Sequence, residues 1–114
     1  MAQQTTVADV IKAKKEFYAN CLKQLEQSFI RALDCFFENG LDEFTWSVKY
    51  NNIPIDETGK TYNLHHVYLC INIFLTELKN KEQSFIKDFK IEMFEDRYIC
   101  IVTIDFNQLA KQLI

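Results

Sequence analysis

From Val7 to Phe37 the apolar positions of the chain recur in steps of three and four: Val7, Val10, Ile11, Phe17, Tyr18, Cys21, Leu22, Leu25, Phe29, Ala32, Leu33, Phe36 and Phe37. That spacing holds one face of an α-helix for over thirty residues. Thr6 followed by Asp9 supplies a capping box, with Asp in the place usually taken by Glu. Asn39-Gly40 supplies the stop, because glycine readily takes the left-handed conformation that ends a helix. Such a helix is roughly 50 Å long at about 1.5 Å per residue. A compact chain of this size has a radius of gyration of only about 13 Å. Three outcomes reconcile the two lengths: the first turns project, the helix bends near Lys14-Lys15, or a second subunit covers the overhang. From Tyr18 the stripe runs through 22, 25, 29, 32 and 36, an alternation that suits packing on the protein's own sheet or on a partner helix.

After Gly40 the period changes to two. Phe44, Trp46, Val48 and Tyr50 alternate with Thr45, Ser47 and Lys49, the pattern of a half-buried strand. Residues 51–61 hold the sole Pro and the second Gly, and form a connection. Residues 62–75 fit two periods. Val67, Leu69, Ile71, Ile73 and Leu75 share one parity, whereas Leu64, Val67, Tyr68, Ile71, Phe74, Leu75 and Leu78 fit a helix. The β-branched and aromatic content favours a strand with both faces covered, followed by a turn or short helix over 76–84. Residues 85–94 and 97–106 read as a hairpin turning at Glu95-Asp96, with Phe89, Ile91 and Met93 alternating on the first arm. The second arm is apolar on both faces and belongs inside a sheet. Asp105 or Asn107 can cap a short final helix carrying Leu109, Leu113 and Ile114. The expectation is one α+β domain over residues 1–114: a long N-terminal and a short C-terminal helix packed on a four-stranded antiparallel sheet.

Composition narrows the function classes. Apolar residues make up 48% of the 114, enough for a core and too many for disorder. Sixteen acidic residues outnumber thirteen basic ones, for a net charge of −3. A general nucleic-acid binder needs an excess of Lys and Arg to displace phosphate counterions. The one basic cluster, Lys12, Lys14 and Lys15, fits the solvated side of a helix. No run of apolar residues is long enough to span a bilayer, and the N-terminus has no secretory pattern, so the expected location is the cytoplasm. Cys21, Cys35, Cys70 and Cys100 stand far apart with no C-x-x-C pair, and read as reduced, buried small hydrophobes.

No segment carries a catalytic, cofactor or metal motif. Gly59-Lys60-Thr61 matches the end of a phosphate loop, but Pro54 stands where that loop needs its first glycine. His65 and His66 would point to opposite faces of a strand and so could not share a metal. A catalytic cysteine would need one of them beside Cys70 or Cys100, which no spacing here arranges. The acidic pairs Asp42-Glu43, Asp56-Glu57 and Glu95-Asp96 fall in turns, where Asp and Glu are ordinary. The expectation is therefore a protein with no enzymatic activity and no cofactor.

Binding surface is the stronger signal. Trp46 belongs to the core under the first helix. Tyr50, Tyr62 and Tyr68 are the candidates for an exposed aromatic contact surface, and Tyr18 and Leu22 for a helical interface. Two strands apolar on both faces would leave a second sheet face to be covered, and a second copy is the simplest cover. The expected role is a protein-binding module that occupies another protein as a homodimer, in the manner of an adaptor, an immunity protein or a phage-type inhibitor of a host system. The phage-type idea rests on small size and on Lys outnumbering Arg eleven to two, a bias of AT-rich coding sequence. The alternative is a small-molecule-binding or catalytic domain with its site at a dimer interface. Single-stranded nucleic-acid binding through an aromatic sheet face comes third.

Overall fold

The fold is described from a computed structural model over residues 4–40 and 43–114. Asp42 of the Asp42-Glu43 pair and the start of the N-terminal stretch lie outside the described residues.

Helix α1 spans Val7–Glu38 without a break. Its capping box is complete: Asp9 N–H donates to Thr6 Oγ1 at 3.2 Å, and Thr6 N–H donates to Asp9 Oδ2 at 3.0 Å. These bonds satisfy two of the donors that a helix start leaves free, and they hold the Asp9 carboxyl below its ordinary pKa. At the other end Asn39 N–H reaches Cys35 O, and Gly40 turns the chain at φ +95°. Cys21, Leu25, Phe29 and Phe36 form the buried stripe of the helix.

That stripe lies on strand β1 (Phe44–Lys49), in which Phe44, Trp46 and Val48 are buried and the alternate residues exposed. The Phe29 ring sits 5.3 Å from Phe44 and 5.2 Å edge-on to Trp46. Trp46 Nε1–H donates to Ser28 Oγ at 3.0 Å, so the indole is both packed and polar-satisfied against the helix.

The sheet has three strands, not four, because residues 64–79 are helical. Helix α2 (Leu64–Lys79) starts at Asn63, whose side chain accepts from His66 N–H at 2.9 Å. Its buried residues Val67, Cys70, Ile71 and Leu75 follow helical spacing, while Leu69 is exposed and Ile73 half-buried. Sixteen residues also exceed an ordinary strand, so length favours the helical period where composition favoured the strand. Burial under α1 then overrides β-branched propensity.

Strand β2 (Ile86–Phe94) and strand β3 (Arg97–Ile104) form the expected hairpin, with Glu95 at φ +56° in the two-residue turn. The strand order is β1-β3-β2, each pair antiparallel. β1 and β2 therefore run parallel with β3 between them, and α2 is the crossover that joins them. Trp46, Cys100 and Ile91 share one register row and face the helices. The opposite face carries Thr45, Ser47, Lys49, Lys90 and Glu92 around half-buried Ile99 and Ile101. Polar residues outnumber apolar ones on that face, where Phe94, paired with Arg97, is 58% exposed.

Helix α3 (Phe106–Gln112) is capped by Asp105, which accepts from Asn107 and Gln108 N–H. Leu109 is its buried residue, whereas Leu113 and Ile114 are exposed. α2, not α3, is the second helix of the layer that covers the sheet.

α1 outruns everything beneath it. From Thr6 to Glu16 every residue is exposed, and Phe17 is the first to pack inward. The molecule measures 60 × 32 × 23 Å, with a radius of gyration of 16.5 Å against about 13 Å for a compact chain of this length. The first turns project.

Candidate interaction surfaces

Among the described residues, apolar side chains gather on two surfaces that both involve α2. The first is a groove of about 640 Å³ between α1 and α2, in which Tyr18 and Leu22 meet Leu69 and Ile73. Val10 and Ile11 extend it along the overhang, and Lys14, Lys15 and Glu77 stand at its rim. A second stretch of about 560 Å³ continues it toward the helix C-terminus, past Glu26, Ile30 and Leu33. The two stretches share Leu22 and Glu77. Val10, Ile11, Leu69 and Ile30 are each 44–55% exposed, an unusual concentration of solvated aliphatic side chains on one side of a small protein.

The second surface is aromatic. Tyr98 is buried, with its hydroxyl donating to Leu64 O at 2.8 Å. Tyr50 and Tyr68 lie on either side of it, each with its ring centre 5.6 Å from that of Tyr98. Tyr50 Oη–H donates to Glu95 O at 3.0 Å, which ties the patch to the hairpin turn. Met93, paired with Tyr98 across the sheet, is 54% exposed and completes the surface. Rings held by hydrogen bonds at their tips lose little freedom on binding.

Tyr62 belongs to neither surface. It is buried, its hydroxyl donates to Phe17 O at 2.6 Å, and its ring packs against Phe17, Tyr18 and His66. The cause lies one residue before the cap of α2. Tyr62 N–H is fixed to Ile53 O, so the ring turns inward as a plug beneath α1. Burial raises its hydroxyl above the ordinary tyrosine range.

The remaining polar groups do not assemble a reaction centre. His65 and His66 occupy the first turn of α2 instead of a strand. His65 is exposed, and His66 lies among Phe17, Tyr18 and Tyr62 with its buried Nδ1 unpartnered. Cys21 and Cys70 meet at the α1–α2 crossing. The hydrogen bond that Cys70 gives Cys21, together with burial, holds the Cys70 thiol far above its ordinary range, while accepting that bond lowers the thiol of Cys21, which is fully buried. Burial alone pushes Cys100 up to about 12. Raised thiols such as Cys70 and Cys100 stay protonated near neutral pH, and Cys21 is closed off from solvent. Cys35 differs from the expectation of a buried cysteine: it is exposed on the outer side of α1. Around Gly59 the loop bonds to itself, Ile55 N–H to Lys60 O and Tyr62 N–H to Ile53 O. Among the described residues no three His, Cys, Asp or Glu side chains converge as metal ligands, and no helix is long and apolar enough to cross a membrane.

Comparison with protein-family models, curated proteins and solved structures finds no match to the chain.

Of the residues singled out by sequence, the structure brings Tyr18 and Leu22 together in the groove and Tyr50 and Tyr68 together around Tyr98. Leu69, Ile73, Ile30 and Met93 complete the two surfaces. The signal for Leu69 and Ile73 was their four-residue spacing, masked by the parity they share with Val67 and Ile71. Met93 shares the inward parity of Ile91, but it lies beyond the reach of the helices near the end of its strand.

Proposed function

We propose that this chain is a non-enzymatic protein-binding module that works as a homodimer and acts by occupying a partner protein. The observation that carries the reading is the pair of separate uncovered apolar surfaces. One surface alone would be spent on self-association. With two, a dimer formed through the helical groove still presents its tyrosine patch, in which Tyr50 and Tyr68 supply the aromatic anchors that dominate protein interfaces. The burial of Cys21, Cys70 and Cys100 and the lack of a convergent metal-ligand cluster among the described residues favour binding over chemistry.

Site-specific photo-crosslinking tests the partner. A benzophenone amino acid replacing Tyr68 in the cell that expresses the protein should yield one discrete heavier adduct. The same probe at Thr45, on the polar sheet face, should yield none. Equal labelling at both positions, or no adduct at Tyr68, refutes the reading.

A further inference from the structure

We propose that Asn39-Gly40, the stop of α1, is a self-modification site at which water converts the asparagine to aspartate and isoaspartate through a cyclic imide. The site touches neither of the surfaces described above, so it stands apart from the protein-binding reading.

The imide closes when the backbone nitrogen of the following residue attacks Cγ of the asparagine. The N–Cγ bond forms, the Cγ–Nδ2 bond breaks, and the side-chain amide leaves as ammonia, taking the backbone proton. Water then opens the ring. Attack at Cγ restores the original main chain with aspartate, whereas attack at the backbone carbonyl routes the main chain through Cβ as isoaspartate. One water enters, one ammonia leaves, and no oxidant or reductant is needed. A side chain on the attacking residue obstructs this closure, and glycine has none.

Of the eight asparagines, Asn39 alone precedes a glycine. Others are also tied down: Asn20 donates to Pro54 O and Ile55 O, Asn63 accepts from His66 N–H, and Asn72 accepts from Thr76. Asn39 is exposed, at a surface hollow that it lines with Cys35, Glu43 and Thr45. Among the described residues, neither its side-chain amide nor Gly40 N–H has a hydrogen-bond partner. Beyond its chain neighbours, no atom lies within 4 Å of where a Cβ would stand on Gly40. Asn39 has φ −94° and ψ 13°. Turning about ψ brings the Gly40 nitrogen to Cγ and leaves the Asn39 N–H on Cys35 O, so the helix need not unwind first.

The products weaken this end of the helix. The last turn of α1 holds no basic residue, and Glu38 stands next to the site. A new carboxylate there meets the negative end of the helix dipole with no cation to offset it. Isoaspartate also adds a methylene to the main chain at the turn that Gly40 makes at φ +95°.

Peptide mapping of the full chain tests the site. Trypsin cutting after Arg31 and Lys49 releases residues 32–49, in which Asn39 is the sole side-chain amide. After incubation of the folded protein at mildly alkaline pH, that peptide should gain about 1 Da, the exchange of NH2 for OH. Electron-transfer fragmentation should find isoaspartate at position 39. Asn39→Gln, whose amide needs a larger ring to close, should hold its mass. Asn39→Asp, which carries the direct product, should lower Tm by about 1–4 °C.

A peptide 32–49 of unchanged mass overturns the proposal, as does a gain at Asn51 or Asn80 as fast as at Asn39. Aspartate without isoaspartate also overturns it, because direct hydrolysis passes through no ring. An unshifted Tm for Asn39→Asp would refute the weakening of α1.

Discussion

The contact that fixes which side of α1 faces the sheet is the hydrogen bond from Trp46 Nε1–H to Ser28 Oγ, 3.0 Å long beside the Phe29 ring. Ser28→Ala removes the acceptor and leaves the indole N–H of a residue only 1% exposed without a partner. An unmade hydrogen bond on a buried group costs about 1–3 kcal/mol. The lower half of that range applies, because Ser28 is half-buried and water can approach from its side. The expected loss is about 1–2 kcal/mol. With an unfolding entropy near 2.1 cal/mol/K per residue, a chain of 114 residues shifts by about 4 °C per kcal/mol, so Tm should fall by about 4–8 °C. A double-mutant cycle isolates the bond. Trp46→Phe is destabilising in its own right through lost volume, but phenylalanine has no N–H to strand. In that background Ser28→Ala should cost under about 0.5 kcal/mol. Urea unfolding followed by far-ultraviolet circular dichroism reads all four proteins. Equal costs for Ser28→Ala in both backgrounds would refute the contact. They would also remove the ground for assigning the Cys21-Leu25-Phe29 stripe to the sheet.

Further outcomes test other parts of the fold. Ile71 and Leu69 have the same parity but opposite burial, 0% and 44% exposed. Ile71→Ala should cost about 2–4 kcal/mol and Leu69→Ala under about 1, measured on protein diluted to the monomer; equal costs would restore the strand. Cys100 is ordinary at 9.0 when unfolded and about 12 when folded. Its contribution is therefore full below pH 9 and is lost as pH rises, at about 1.4 kcal/mol per pH unit up to 12. Cys100→Ala should flatten the fall in urea stability between pH 9 and 10, and parallel slopes for the two proteins would contradict the burial. Glu95 holds φ +56°, so Glu95→Gly should raise stability by about 0.5–1 kcal/mol. A drop in Tm would mean the turn is not strained there.

Elements whose signals were local were legible in the sequence. The capping box at Thr6, the Asn39-Gly40 stop, the alternation of β1, the two-residue hairpin turn and the Asp105 cap each need only neighbouring residues, and each is present. The long helix followed from its period, whereas counting residues against radius left projection, a bend near Lys14-Lys15 and a covering subunit as alternatives, and the structure shows the projection. Residues 62–75 misled because the sequence satisfies both periods, and choosing between them depends on what lies above. Under α1 a helix can place Cys70 against Cys21 and Phe74 against Phe29. A fourth strand would have turned Leu69 and Ile73 inward with Ile71. Tyr62 failed for the same reason at smaller scale: the tyrosine tip looked suited to solvent, but a backbone carbonyl of α1 was within reach.

That single exchange of strand for helix moves the uncovered apolar area from the sheet to the helices, and so changes the kind of partner the molecule can take. A bare sheet face would have called for a flat cover, or for edge pairing that can continue without limit. The open sheet face exposes threonine, serine, lysine and glutamate, with Phe94 at its end and half-buried Ile99 and Ile101 between them. What remains is a long helix with aliphatic residues running off the end of its own support. Another helix of matching length is the natural complement to such a ridge. The projection that makes this molecule 60 Å long leaves that ridge in solvent, and the tyrosines around Tyr98 form a separate aromatic cluster.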